Sequence, residues 1–161
     1  MPAIRPYRPA DAAPLWAMLE PVFRAGDTYA VDPAITREDA VAFWTGAPHE
    51  AFIAEADGAV VGTYYIQPNQ QGGGAHVCNC GYVTGAAARG KGIARAMLDD
   101  SLTRARAAGY RAMQYNFVVA TNIRAVETWK ANGFDVVGRL PRAFHHPAEG
   151  YVDALVMYRE L

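Results

Sequence analysis

Tyr82-Val83-Thr84-Gly85-Ala86-Ala87-Ala88-Arg89-Gly90-Lys91-Gly92-Ile93-Ala94 is the stretch whose reading decides the fold. It ends a run of strand-forming residues, about His76 to Val83, and opens a helical segment, Gly92 to Ala108. In that segment Ile93, Met97, Leu98, Leu102 and Ala105 fall on one face. A strand therefore meets a helix across a turn of small and basic residues. Three phosphate-binding patterns compete for the turn. Gly85 to Lys91 satisfies a Walker A loop except at its last position, where Gly92 has no hydroxyl for Mg²⁺. A dinucleotide fingerprint beginning at Gly90 and Gly92 meets Arg95 where its third glycine belongs. The third pattern is Arg, two residues, Gly, one residue, Ala, and Arg89, Gly92 and Ala94 satisfy it. Small residues there let a pyrophosphate reach the main chain, and the N–H groups of a first helical turn, with the positive end of its dipole, face the anion. Arg89, Lys91 and Arg95 add charge.

Working outward, Ala3–Tyr7 reads as a strand and Ala10–Ala25 as an amphipathic helix. Thr36 is the expected N-cap of a second helix, with Asp39 three residues on. The strands Ala51–Ala56 and Ala59–Ile66 are joined by Asp57-Gly58, a dipeptide suited to a two-residue hairpin. Pro68–Gly74 reads as a loop. Downstream come a strand at Ala112–Val119 and a helix at Asn122–Asn132 that Gly133 ends. Two last strands, Asp135–Arg139 and Tyr151–Arg159, are connected through Leu140–Gly150. The order βααβββαβαββ predicts one α+β domain, residues 1–161, with a mixed central sheet of about seven strands flanked by helices.

The chain has 161 residues, 52% of them apolar, which supplies a core and excludes disorder. No run approaches the roughly 18 apolar residues of a membrane span, and Met1–Pro9 holds no apolar leader, so a cytoplasmic location is expected. The net charge of −1 argues against a broad nucleic-acid footprint. It conceals an asymmetry: residues 1–80 carry −5 and residues 81–161 carry +4. Cys78 and Cys80 are too close in sequence to bridge, and with His76 they alternate along one strand rather than around a point, so no metal is expected.

On these residues the chain resembles the GNAT superfamily of acyl-CoA-dependent N-acyltransferases, whose pyrophosphate loop follows the fourth strand. A second family pattern recurs downstream as Asn122, Ala125, Trp129, Gly133 and Phe134. The resemblance covers nearly the whole chain and implies a three-layer fold with acetyl-CoA as cosubstrate. It also implies that main-chain groups near Tyr82, Val83 and Thr84 pair with the pantetheine arm. Arg89, Gly90, Lys91, Gly92, Ile93 and Ala94 would hold the pyrophosphate, and Asn122 would contact the cofactor. Many members carry a tyrosine acid where this chain has Trp129, whose indole cannot supply that proton. Tyr82 and Tyr115 are the unranked substitutes.

No Asp or Glu occurs between Asp57 and Asp99, so the central strand offers no carboxylate base, and His76 is its one imidazole. Asn79 and Asn116 are polar residues inside neighbouring strands. A buried amide must be paired, so each either bridges main-chain groups or faces a ligand. Here the resemblance narrows to the fungal N-acetyltransferases that act on proline analogues such as azetidine-2-carboxylate. It implies that Asn79 and Asn116 orient a small amine. The expected function is acetyl transfer to a small amino acid or such an analogue, a detoxification, by direct attack, with a homodimer as a further implication. The alternatives are acetylation of a protein N-terminus, polyamine or antibiotic, and a noncatalytic acyl-CoA-binding module. Mg²⁺-nucleotide binding through the near Walker A loop is a third.

Overall fold

A computed structural model describes residues 1–161. The strands are β1 (Ala3–Pro6), β2 (Glu50–Ala56), β3 (Ala59–Pro68), β4 (Val77–Thr84), β5 (Ala112–Val119), β6 (Asp135–His146) and β7 (Gly150–Glu160). The helices are α1 (Ala12–Ala25), α2 (Arg37–Thr45), α3 (Ile93–Ala107) and α4 (Ile123–Ala131). The strands form one seven-stranded sheet in the order β1-β2-β3-β4-β5-β7-β6, in which only β4 and β5 run parallel. No helix is long and apolar enough to cross a membrane.

Local chemistry accounts for the elements. Asp57 and Gly58 both take positive φ, 51° and 75°, the backbone of a turn whose twist matches the β2–β3 hairpin. Thr36 caps α2 by accepting from the Asp39 N–H at 3.1 Å. The sheet then separates two apolar layers. Met97, Leu98, Leu102 and Ala105 of α3 and Val126 of α4 pack on one face, over Tyr64, Cys78, Cys80 and Met113. On the other, Leu15, Leu19 and Phe23 of α1 and Trp44 of α2 cover Ile53, Tyr65 and Val83. The Trp44 indole donates to Thr63 Oγ1 at 2.9 Å, and that hydroxyl donates to the Phe52 carbonyl at 2.8 Å, so both members of this buried polar pair are satisfied.

One expectation is corrected. Leu140–Gly150 is not a connecting segment: β6 runs on to His146, placing His145 opposite Tyr151, and only a short turn precedes β7. Pro141 falls in an irregular stretch between Leu140 and Phe144 on the edge strand, where a missing N–H breaks no ladder bond.

Gly81 is the tightest point of the sheet. Its register partner Tyr65 lies across it, so a Cβ at Gly81 would stand 2.6–2.9 Å from Tyr65 Cε1, Cζ and Oη. Tyr65 has no room to yield, because Trp44 meets its ring edge-on at 4.9 Å and His49 stacks on it at 4.0 Å. Gly81→Ala should therefore lower unfolding free energy by about 1–3 kcal/mol, as overpacked cores do. Gly73→Ala, where a Cβ meets nothing, should stay within about 0.5 kcal/mol. Urea unfolding of the two variants checks both.

Candidate active site

β4 and β5 pair only at Val77–Ala112 and Cys78–Met113, and beyond these two rungs they part. Asn79 stands at the fork. Its Nδ2 donates to the Gln114 carbonyl on β5 at 3.0 Å, and its Oδ1 accepts from Gln67 Nε2 on β3 at 3.1 Å. An amide side chain thus takes over a ladder bond at the point where the main chain stops making it. Further along, a register shift between Tyr115 and Val118 bends β5 away on its β7 side.

The opening is a cleft of about 440 Å³. Its floor is the open edge of β4. Gly85 N–H bonds the Val61 carbonyl across the β3–β4 pair, so by alternation Val83 and Gly81 turn their main-chain groups to β3, whereas Tyr82, Cys80 and Thr84 turn theirs into the gap. Tyr82 and Thr84 therefore offer main-chain donors and acceptors to a ligand. Val83 offers only its side chain, which the sequence did not distinguish. In this structure the Tyr29 hydroxyl fills the place at Tyr82, accepting from its N–H and donating to its C=O, both at 2.9 Å.

At one end of the cleft lies the glycine-rich turn. Gly90 and Gly92 both adopt φ of +77°, and a Cβ at either would meet nothing, so the surface over the turn is open. No side chain caps α3, and the N–H groups of Ile93, Ala94 and Arg95 have no partner within the helix. Arg89 lines the cleft; Lys91 and Ala94 are exposed, while the Ile93 side chain is buried in the core. Arg95 is tied to Asp99 at 3.0 Å. Asn122 lines the cleft beside Ala125 and Trp129, with its Oδ1 accepting from the Ala125 N–H at 3.4 Å as the cap of α4. Its amide N–H groups remain free for a ligand.

The opposite side is formed by Thr28, Tyr29, Ala30 and Val31 from the α1–α2 connection, with Phe43, Tyr65, Asn79, Asn116 and Phe117. Asn116 is exposed. Its Nδ2 donates to Asn69 Oδ1 at 2.6 Å and its Oδ1 accepts from Gln114 Nε2 at 2.9 Å. Asn79 and Asn116 thus belong to one belt of amides with Gln67, Asn69 and Gln114, and each keeps one N–H uncommitted. The belt was invisible in the sequence, where Asn69 read as loop. Tyr65, packed in the layer under α1 and α2, also reaches the cleft, and Gly81 opposite it in mid-strand is the sequence signal for that close approach.

The cleft contains no carboxylate and a single cation, Arg89. Its phenols are all neutral near pH 7. Burial pushes Tyr65 up to about 12 and raises Tyr29, Tyr82 and Tyr115 above the ordinary tyrosine value. Tyr115 Oη donates to Tyr82 Oη at 3.2 Å, and Tyr82 Oη lies 2.8 Å from Ser101 Oγ, which donates to the Leu98 carbonyl. Trp129 packs on both rings, at 4.9 and 5.3 Å. His76 is exposed ahead of β4 and lies outside the cleft lining. No three His, Cys, Asp or Glu side chains converge on a point that could hold a metal ion.

A sheet opened between two parallel strands beside an uncapped helix N-terminus is the arrangement that the resemblance to acyl-CoA-dependent acyltransferases implies, and the comparisons identify that class. The profile described as acetyltransferase (GNAT) family matches residues 15–134. The N-acetyltransferase aca1 of Schizosaccharomyces pombe is 30% identical over 148 residues, covering 81% of this chain and 71% of that protein. The structure of a GCN5-related N-acetyltransferase from Kribbella flavida superposes with a TM-score of 0.93 at 41% identity, covering 99% and 98% of the two chains. A Salmonella typhimurium acetyltransferase, yncA, solved with acetyl-CoA, shares the fold at a TM-score of 0.85 and 19% identity, over 100% and 94%. The chain belongs to the GNAT family and is an N-acetyltransferase.

Because the Asn79 amide holds β3 and β5 at the fork while Asn116 sits at the surface, their truncations should separate in stability. Asn79→Ala leaves the Gln114 carbonyl and Gln67 amide unpaired and should cost about 1–3 kcal/mol. Asn116→Ala should stay within about 0.5 kcal/mol in the same denaturant titration.

Proposed function

We propose that the protein transfers acetyl from acetyl-CoA to the amine of a small amino acid or a cyclic analogue of the azetidine-2-carboxylate type. The family uses acetyl-CoA, and the proposed seat fits it. Main-chain groups of Tyr82 and Thr84 would pair with the pantetheine amides, the turn from Arg89 to Ala94 would hold the pyrophosphate, and Asn122 would donate its free amide N–H. The pyrophosphate meets unpaired N–H groups and a dipole end of the right sign.

The observation that carries the acceptor reading is the neutrality of the other half of the cleft. A polyamine or an aminoglycoside-like antibiotic calls for carboxylates, and none lines the cleft. Amides supply both donors and acceptors, matching an acceptor that bears a carboxylate and an amine close together. The uncommitted N–H groups of Asn79 and Asn116 would hold the carboxylate and direct the nitrogen at the thioester carbon. The unprotonated nitrogen attacks, a carbon–nitrogen bond forms as the carbon–sulfur bond breaks, and the proton the nitrogen sheds passes to the departing thiolate or to water. With a pKa of about 8.5 the departing thiol needs little acid assistance. Positioning supplies most of the acceleration.

The test is thiol release from acetyl-CoA with azetidine-2-carboxylate, proline and a panel of polyamines and peptides. Turnover should be confined to the small amino acids, and Asn116→Ala should raise KM for the amine by about tenfold, one charge-assisted hydrogen bond, while acetyl-CoA binding holds. Preference for a polyamine would overturn the acceptor reading.

The absence of a titrating base sets the pH dependence. The acceptor must lose its own proton, so kcat/KM should rise tenfold per pH unit at low pH and level off at the pKa of the amine. Exchanging the amine for one of lower pKa should move the plateau by the same interval. A plateau that stays fixed across amines would reveal an enzyme base.

A further inference from the structure

The contact between Tyr29 and β4 has a geometry that neither packing nor the family pattern requires. Tyr29 lies in the irregular connection between α1 and α2, 53 residues from Tyr82. Its ring packs edge-on against Phe23 at 5.7 Å and Trp44 at 5.9 Å, which directs the hydroxyl into the fork between β4 and β5. There one oxygen serves both main-chain groups of a single residue, each at 2.9 Å. Among side-chain groups a hydroxyl suits this double duty, since it is at once a donor and an acceptor on one atom. In a closed sheet the two groups would belong to the ladder of β5.

We infer that Tyr29 is a stand-in for the cosubstrate: its hydroxyl satisfies the Tyr82 main-chain pair in the empty enzyme and yields that pair to the acetyl-pantetheine arm. This rests on the proposed seat of acetyl-CoA along β4. The hydroxyl and the arm require the same N–H and C=O, so they exclude one another. A buried main-chain N–H and C=O left without partners destabilise a protein, and Tyr29 spares the empty cleft that penalty. The benefit has a counterpart, because acetyl-CoA must displace two hydrogen bonds before making its own. Tyr29 is thus a positioning residue that acts on the empty state. It also couples the two halves of the cleft, since its neighbours Thr28, Ala30 and Val31 form the acceptor wall.

Tyr29→Phe keeps the ring and removes only the hydroxyl. Thermal unfolding with and without saturating acetyl-CoA, and calorimetric titration of acetyl-CoA, read the two states separately. The variant should melt below wild type when empty and level with it when saturated, and it should bind acetyl-CoA at least about fivefold more tightly, a lower bound set by the worth of one of the two hydrogen bonds no longer displaced. Equal losses in both states with unchanged affinity would overturn the inference and leave Tyr29 a structural residue. Unchanged affinity with a fall in kcat would overturn it in favour of direct action on the acyl group. Wild-type protein that binds no acetyl-CoA would overturn the cofactor seat itself, a failure distinct from either.

Discussion

The parting of β4 from β5 after two rungs is the constraint on which the rest of the molecule depends. A sheet that stayed closed would bury the edge of β4 and leave no cleft, and a sheet that opened freely would expose main-chain groups on both strands. The Asn79 amide resolves the conflict by bonding outward in both directions, to Gln67 and to the Gln114 carbonyl. The two apolar layers pack on either face of the sheet around the fork. The aromatic group of Tyr82, Tyr115, Trp129 and Phe134 fills one side of the fork, and Tyr65 lies over Gly81 on the other. Open strand edges invite pairing with other chains. Here the open edge is internal, flanked on one side by the α1–α2 connection and on the other by α4.

Much of this architecture was legible in the sequence because it is local. The strand Ala112–Val119 was found at both of its ends from a run of eight strand-forming residues, and Asp57-Gly58 named its own turn and Thr36 its own helix start, each from residues within four of one another. The glycine-rich turn was equally readable, since φ near +77° at Gly90 and Gly92 favours that residue type. What escaped was nonlocal. The partners of Asn79 stand 12 and 35 residues away, and those of Tyr29 stand 53 away, so no periodicity announces them. The alternatives set out for Asn79, a bridge or a ligand contact, prove compatible: it bridges, and it still lines the cleft with one amide hydrogen to spare. The extension of β6 to His146 escaped for another reason. Pro141 suggests a break, and only the strand's position at the sheet edge makes it harmless.

The chemistry of the cleft follows from desolvation more than from charge. Four phenols line it, and burial keeps each one protonated. The hydroxyl chain from Tyr115 through Tyr82 to Ser101 ends on a helix carbonyl rather than on a titrating group. It therefore fixes ring positions around Trp129. Trp129 packs on the Tyr82 and Tyr115 rings and completes an apolar side of the cleft.

The uneven charge of the chain acquires a kinetic meaning from this layout. Arg89 and Lys91 stand at the turn, whereas the amide-lined wall opposite carries no formal charge. Screening over about 8–10 Å at physiological ionic strength acts directly on the first end, whereas the nearest charges in sequence to the second end's Thr28–Val31 are Asp27 and Asp32, outside the lining. Added salt would slow the arrival of a polyanionic partner and leave that of a zwitterion nearly untouched. One enzyme would then meet its two substrates under different rules of encounter, long-range attraction for one and unaided diffusion for the other.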